Sequence, residues 1–491
     1  MPWDRFALIG LAAALALRIA VVLLYFGDVP PAEVSADAGY YLLVAEEPWR
    51  LGLPGITNQT ELAEQAYVQS VGPVYPALLA ILVPVSEALA PQSPFVIVRL
   101  FHALIDVGIV AAVYAITAML FGQTAGRIAL VMQVLDPRFV IQVGVVQTEL
   151  VFILLVLGTF GVYLHAERPR GFLLAGLLLG LAILTRAVAL LFPLVMAAHA
   201  WFHPRRREEQ LRGVLRMAAV AVLVMLPWMV RTTMLTGEII PVADSGLAHL
   251  WLSSLEDGRE ASPNYQVERI EEGIFAEDGT TSSSGYLTSA LRNILSEPLA
   301  FAGRTVRDTV IAYAQPYGAF YVREPGSEST WAVFRGVLDG ERTLEELASQ
   351  PAFVPRLVMY GWHYAVLLTG AAGMVLARRN WSAFLFVLWA LYGTGLTAAL
   401  LVEPRYLFPY MVSFTVFAAL LLSELAQQQQ EHGDGQSAEQ RGPEHHQRRQ
   451  FRLPVVFGGE HVRVDRGRQA GGQQQRFGDL TPDAEQEHQP H

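Results

Sequence analysis

The chain of 491 residues contains no cysteine. Disulfides, thiolate metal sites and thiol nucleophiles are therefore excluded, while the compartment stays open. Charge is also scarce: Asp, Glu, Lys and Arg make up 16% of the residues, against roughly 25% in a soluble domain. No repeat of the solenoid kind is present. The net charge of −10 is spread unevenly between loops and tail, and no nucleic-acid partner is expected. What fills the chain instead is apolar sequence, 53% of the total, gathered in long runs between Phe6 and Leu425.

Those runs lie near 6–26, 73–90, 95–121, 124–143, 145–165, 171–186, 187–203, 212–230, 357–377, 382–402 and 405–425. A crossing helix needs about 17–25 residues. The fold class is thus an all-α polytopic membrane protein surrounded by membrane lipids, with about ten transmembrane helices. The first run exceeds the ~7–15-residue core of a signal peptide. No small-x-small cleavage site follows it before Pro30-Pro31, so it reads as an uncleaved first span.

Basic residues mark cytoplasmic loops: Arg168 with Arg170, Arg205-Arg206-Arg207 with Arg212, and Arg378-Arg379. Segment 27–70 carries Asp28, Glu33, Asp37, Glu46, Glu47, Glu61 and Glu64 against Arg50 alone, which places it outside. An odd number of crossings must then separate Ser70 from Arg168, yet four apolar runs lie between them. The run 73–90, short and bearing Pro73, Pro76, Pro84 and Glu87, is expected to be an interfacial helix on the outer side. Loop 136–149 then faces the same side as Asp37. Runs 171–186 and 187–203 form a hairpin with Arg186 at its outer tip.

Four regions follow. Residues 1–230 are an N-terminal membrane core that includes the first external loop, 27–70. Residues 231–355 are an extracytoplasmic loop region, either a compact domain or, as preferred, a lid of a few helices over the membrane face. Residues 356–426 are C-terminal membrane helices. Residues 427–491, rich in Gln, His, Arg and Gly, lack the apolar content to fold and are expected to be a disordered cytoplasmic tail.

Four groups of residues can carry chemistry. Asp37, tethered just outside the first span, can act as a base, hold a metal or orient a sugar; its plainer reading is a solvated loop acid. Gln147-Thr148-Glu149 opens an apolar helix, where Thr148 suits an N-cap and Glu149 the positive end of the dipole. Both carboxylates fall on one membrane face, and paired carboxylates suit glycosyl transfer or a bound divalent cation. Arg186, Arg231 and Arg405 lie near the same face, and the guanidinium fork suits phosphate. Arg99, His102 and Asp106 share one helical face and read equally as an intramembrane polar network.

The order of these pieces resembles the GT-C superfamily of integral-membrane glycosyltransferases. The branch it resembles holds the dolichyl-phosphate-mannose–protein mannosyltransferases and the lipid A aminoarabinose transferases. Asp37-Ala38-Gly39-Tyr40-Tyr41 looks like the acidic motif of the first external loop, and Gly72-Pro73-Val74-Tyr75-Pro76 like the motif that follows it. Pro137 through Thr148-Glu149-Leu150-Val151-Phe152 looks like the second-loop element. Pro227-Trp228-Met229-Val230-Arg231 and Arg405-Tyr406 with Pro409 look like two later ones. Two departures stand out: Ala38 replaces a second acid, and Thr232 replaces the usual Asn.

The resemblance implies a polyprenyl-phosphate sugar donor and transfer to a lipid, glycan or protein hydroxyl on the extracytoplasmic face. Asp37 is then the general base and Glu149 positions acceptor or cation. Arg405, Arg231 and Arg186 hold the donor phosphate, with Tyr40 and Tyr406 positioning substrate. A divalent cation on Asp37 and Glu149 is the one cofactor left open. A bacterial inner membrane, with the site facing the periplasm, fits the Ala/Leu/Arg-rich style. The competing readings are a transporter or flippase of lipid-linked sugars, a polysaccharide polymerase or ligase, and a membrane scaffold.

Overall fold

The computed structural model describes residues 3–440, apart from 28, 36, 40, 43, 46–70, 237–238, 244, 256–282, 323–329 and 401. Tyr40 therefore lies outside the described residues, as do Asp28, Glu46, Glu47, Arg50, Glu61 and Glu64. Among the described residues there are helices and no strand.

The membrane core is built from α1 (Arg5–Val21), α2 (Val74–Leu89), α3 (Val96–Phe121), α4 (Gln123–Leu135), α5 (Pro137–Gln142), α6 (Glu149–Leu164), α7 (Pro169–Thr185), α8 (Phe192–Trp201) and α9 (Arg207–Thr236). Asp4 caps α1 by accepting from the Ala7 N–H at 2.8 Å, and a π turn over Val22–Phe26 extends it. Helices α10 (Ser245–Ser254), α11 (Ser283–Ser296), α12 (Pro298–Ala314) and α13 (Thr330–Leu338) follow. They lead to α14 (Phe353–Leu376), α15 (Trp381–Ala399) and α16 (Met411–Gln440).

Among the described residues, five helical stretches are long and apolar enough to cross a membrane: 5–26, 96–121, 207–234, 381–399 and 404–431. Four apolar helices are shorter, at 74–89, 149–164, 169–185 and 187–201. Three of these four begin or end beside Glu149 or Arg186, so their helical ladders stop where a polar side chain is delivered. Irregular backbone at membrane depth is tolerated only where protein covers it or it lines a cavity. The fourth is α2, whose 16 residues fall short of a full span.

Between helices in lipid, close packing and hydrogen bonds replace the hydrophobic effect as the driving force. Phe160 of α6, Phe192 of α8, and Phe386 and Trp389 of α15 supply such packing. Phe160 meets Phe386 edge-on at 5.1 Å, and Phe192 meets Trp389 edge-on at 4.7 Å. Deeper still, Arg18 of α1 donates to Asp106 of α3 at 2.6 Å with both side chains fully buried, and also reaches the carbonyls of Gln133 and Val134. Asp106, Arg99 and His102 thus bond to different partners rather than to each other.

In the region that follows α9, α10 and α11 pair through Trp251, Leu252 and Ala290. The region is also tied to the membrane helices. Tyr313 of α12 hydrogen-bonds Thr394 of α15 at 2.6 Å, and Ser253 donates to the Ala399 carbonyl. Helix α16 runs on to Gln440; Gln427 to Gln430 are good helix formers that a helix already nucleated propagates through. Residues 441–491 lie outside the described residues.

Candidate active site

Four segments meet at one place in the core. The first is the helical stretch 37–39, which opens with Asp37 and follows the short helix Pro31–Val34 and an extended Ser35. Ala38 and Tyr41 anchor it, buried with Tyr75, Leu79, Val146 and Val151; the Tyr41 and Tyr75 rings meet edge-on at 5.2 Å. The second is the start of α6, which delivers Glu149. The third is the break after α7, where Arg186 adopts an extended backbone before a 3-10 turn. The fourth is the short helix Pro404–Leu407, which delivers Arg405 and Tyr406.

Their side chains form one chain of charge. Arg405 donates through Nε to Glu149 Oε1 at 2.9 Å and through an Nη to Asp37 Oδ2. Arg186 donates to the same Glu149 Oε1 at 2.6 Å and to Thr148 Oγ1 at 3.1 Å. Thr148 therefore sits at the N-cap position of α6 without capping it; its hydroxyl holds Arg186 instead. Both guanidinium groups lie near the Tyr406 ring, at 5.6 Å for Arg186 and 5.4 Å for Arg405. Exposure rises along the chain, from 0% at Glu149 through 18% at Arg405 to 33% at Asp37. The buried carboxylate is thus held between two cations, and the acid at the open end is the one a substrate can reach.

Gln147 joins a further segment to this site. Its Nε2 donates to Ser35 Oγ at 2.6 Å, and its Oε1 accepts from Tyr317 OH at 2.6 Å. Tyr321 adds a bond to Tyr317 OH at 2.9 Å. Sequence reasoning missed these tyrosines: they follow the end of α12 at Ala314, and no single helix with its four-residue repeat carries them. It also missed two rim groups. His249 of α10 is pushed down to about 4, first by burial and then by the Arg405 charge, with Asp37 opposing. Burial raises the Glu403 carboxyl, while Arg405 opposes and Asp37 adds to the shift.

Of the candidates, Asp37, Glu149, Arg186, Arg405 and Tyr406 come together. Arg231 of α9 places its guanidinium over the Trp228 ring at 4.8 Å, and that indole donates to the Val242 carbonyl. Among the described residues no group of three or more His, Cys, Asp or Glu side chains could hold a metal. Glu149 Oε1 is taken by two guanidinium groups and Asp37 Oδ2 by one of the same two. A cation shared by the two carboxylates would compete with Arg405, while Glu149 Oε2, buried and without a hydrogen-bond partner among the described residues, is left open to one.

Residues 70–230 match the family model of dolichyl-phosphate-mannose-protein mannosyltransferases. Glu149 and Arg186 lie inside that segment, Asp37 and Arg405 outside it. No curated protein matches the chain. Among solved structures, the oligosaccharyltransferase AglB from Archaeoglobus fulgidus, in complex with an inhibitory peptide and a dolichol-phosphate, is 16% identical with a TM-score of 0.48. The match covers 88% of this chain and 51% of that one, so the chain spans about half the length of that relative. ArnT from Cupriavidus metallidurans bound to undecaprenyl phosphate is 14% identical, with a TM-score of 0.38 and coverage of 86% and 77%. Over residues 70–230 the chain is thus similar to the dolichyl-phosphate-mannose-protein mannosyltransferases, the GT-C branch that its motifs resemble.

Proposed function

We propose that the protein is a membrane glycosyltransferase that moves a sugar from a polyprenyl-phosphate donor to an acceptor hydroxyl. The setting is the extracytoplasmic face of a bacterial cytoplasmic membrane. The observation that carries this reading is the partly exposed Asp37 held by the same Arg405 that reaches the buried Glu149.

The chemistry asks little of the protein. The acceptor oxygen attacks the anomeric carbon while Asp37 takes its proton. The bond from that carbon to the phosphate oxygen breaks, and the polyprenyl phosphate leaves with the electron pair. A single displacement of this kind inverts the anomeric centre. Arg405 and Arg186 stabilise the charge that builds on the leaving phosphate, as fixed donors do most effectively away from bulk water. Glu149 keeps the two guanidinium groups oriented, and Tyr406 lies beside both. No step here is routed through a metal; Asp37 and Glu149 are the residues that would hold a divalent cation, and transfer assayed with and without EDTA tests for one.

The test is transfer of radiolabelled sugar from polyprenyl-phosphate donors into a membrane extract, with wild type and Asp37→Asn at matched expression. Label incorporated by the wild type and lost in the variant supports the reading. Equal incorporation by both discards Asp37 as the base. No incorporation by either, across several donors, discards transfer.

A further inference from the structure

Helix α3 carries a buried guanidinium that touches neither Asp37 nor Glu149, yet holds the segments that bear them. Arg99 is fully buried, and among the described residues its partners are three backbone carbonyls. Two of them, Phe26 and Val29, lie where the first external loop leaves α1; Val29 is bonded at 2.6 Å. The third, Gly144, lies in the second loop at 3.0 Å. The same junction is locked sterically. A Cβ on Gly144 would sit 2.0 Å from the Phe26 ring, so that ring rests directly on bare backbone. The Arg99 guanidinium also lies over the Phe26 ring at 5.5 Å. One turn along α3, His102 contacts the Val143 carbonyl at 3.3 Å and Tyr75 OH at 3.0 Å.

A buried guanidinium is costly, and a methionine would fill similar space without that cost. What methionine cannot do is fix carbonyls from two chain segments at once; a planar fork of five N–H donors can. We infer that Arg99 is a positioning residue that clamps the first external loop to the second, and so sets Asp37 against Arg405 and Glu149. Its catalytic consequence rests on the transferase reading; its structural consequence does not.

The cysteine-free chain allows a direct test in the full-length protein. Ser35 and Gln147, one in each loop, are in hydrogen-bond contact. With Ser35→Cys and Gln147→Cys introduced together, a short bis-methanethiosulfonate reagent should bridge the loops. Adding Arg99→Met should slow bridging about tenfold or more, the expected loss when charge-assisted hydrogen bonds are removed. Arg99→Lys, which retains one charged donor group, should fall between. In the cysteine-free chain Arg99→Met should lower kcat by a similar factor and leave donor KM within about twofold, because the misplaced group acts in the transition state. Bridging at the parental rate in Arg99→Met overturns the clamp, as does an unaltered kcat. Should Arg99→Met fail to elute as a monodisperse species in detergent, Arg99→Lys decides by the same two measures. A wild type with no transfer removes the transferase reading alone, and the bridging rates still decide the clamp.

Discussion

Two of the buried arginine–carboxylate pairings among the described residues are built to different plans. Arg18 and Asp106 meet one to one, both fully buried, and Arg18 adds two carbonyls to the acid. At the candidate site, Arg405 bridges two acids while Glu149 serves two arginines. The first pair is sealed from solvent throughout; the second grades from a sealed acid to an open one. A sealed pair can only hold helices together. A graded one keeps its anchor fixed by burial and presents its far end to a ligand.

The sharpest way to test the comparison is to remove a charge from each place and read both stability and turnover. Asp37→Asn should lower kcat by about 10²–10⁴-fold, the usual contribution of a general base. Its melting temperature in detergent should stay close to wild type, because the acid is partly exposed. Asp106→Ala should do the reverse. It strands a buried guanidinium and should cost about 3–5 kcal/mol of stability, measured by thermal or denaturant unfolding. Transfer per folded molecule should be retained.

Arg405→Lys asks whether the bridge needs a fork. A lysine keeps the charge but not two separated N–H edges, so donor KM should rise about tenfold, read from initial rates over a donor series. The smallest effect is expected at His249. Its folded-state value of about 4 lies below its ordinary 6.5, so the unfolded chain binds the proton that the folded chain refuses. The associated stability is present above pH 6.5 and lost as pH falls toward 4. His249→Gln should flatten that loss in melting curves taken between pH 7 and pH 4.

The helical fold was legible because long apolar runs with few charges have one physical solution in a bilayer. Arg186 and Arg405 were legible because each stands at the edge of an apolar run, Glu149 because it opens an apolar helix, and Asp37 because it lies in an acidic segment after the first run. Their connection was not: Arg405 lies 256 positions from Glu149 and 368 from Asp37, and no local pattern encodes such pairing. Arg18 stayed hidden for the opposite reason. A lone arginine in the first span reads as a side chain snorkelling to the interface, and only the position of α3 reveals Asp106 beside it. Thr148 looked like a cap because its neighbours are those of a helix start; its hydroxyl follows Arg186 instead.

Gly72 touches none of these charges, yet it borders their scaffold. A Cβ there would fall 2.1 Å from the Leu184 carbonyl and 3.2 Å from that of Thr185, on the last turn of the helix that hands over Arg186. No rotamer relieves a clash between a Cβ and backbone, so any larger residue must shift that turn. In a saturation-mutagenesis scan this position should tolerate nothing but glycine, and its intolerance would mimic that of a ligand-contacting residue.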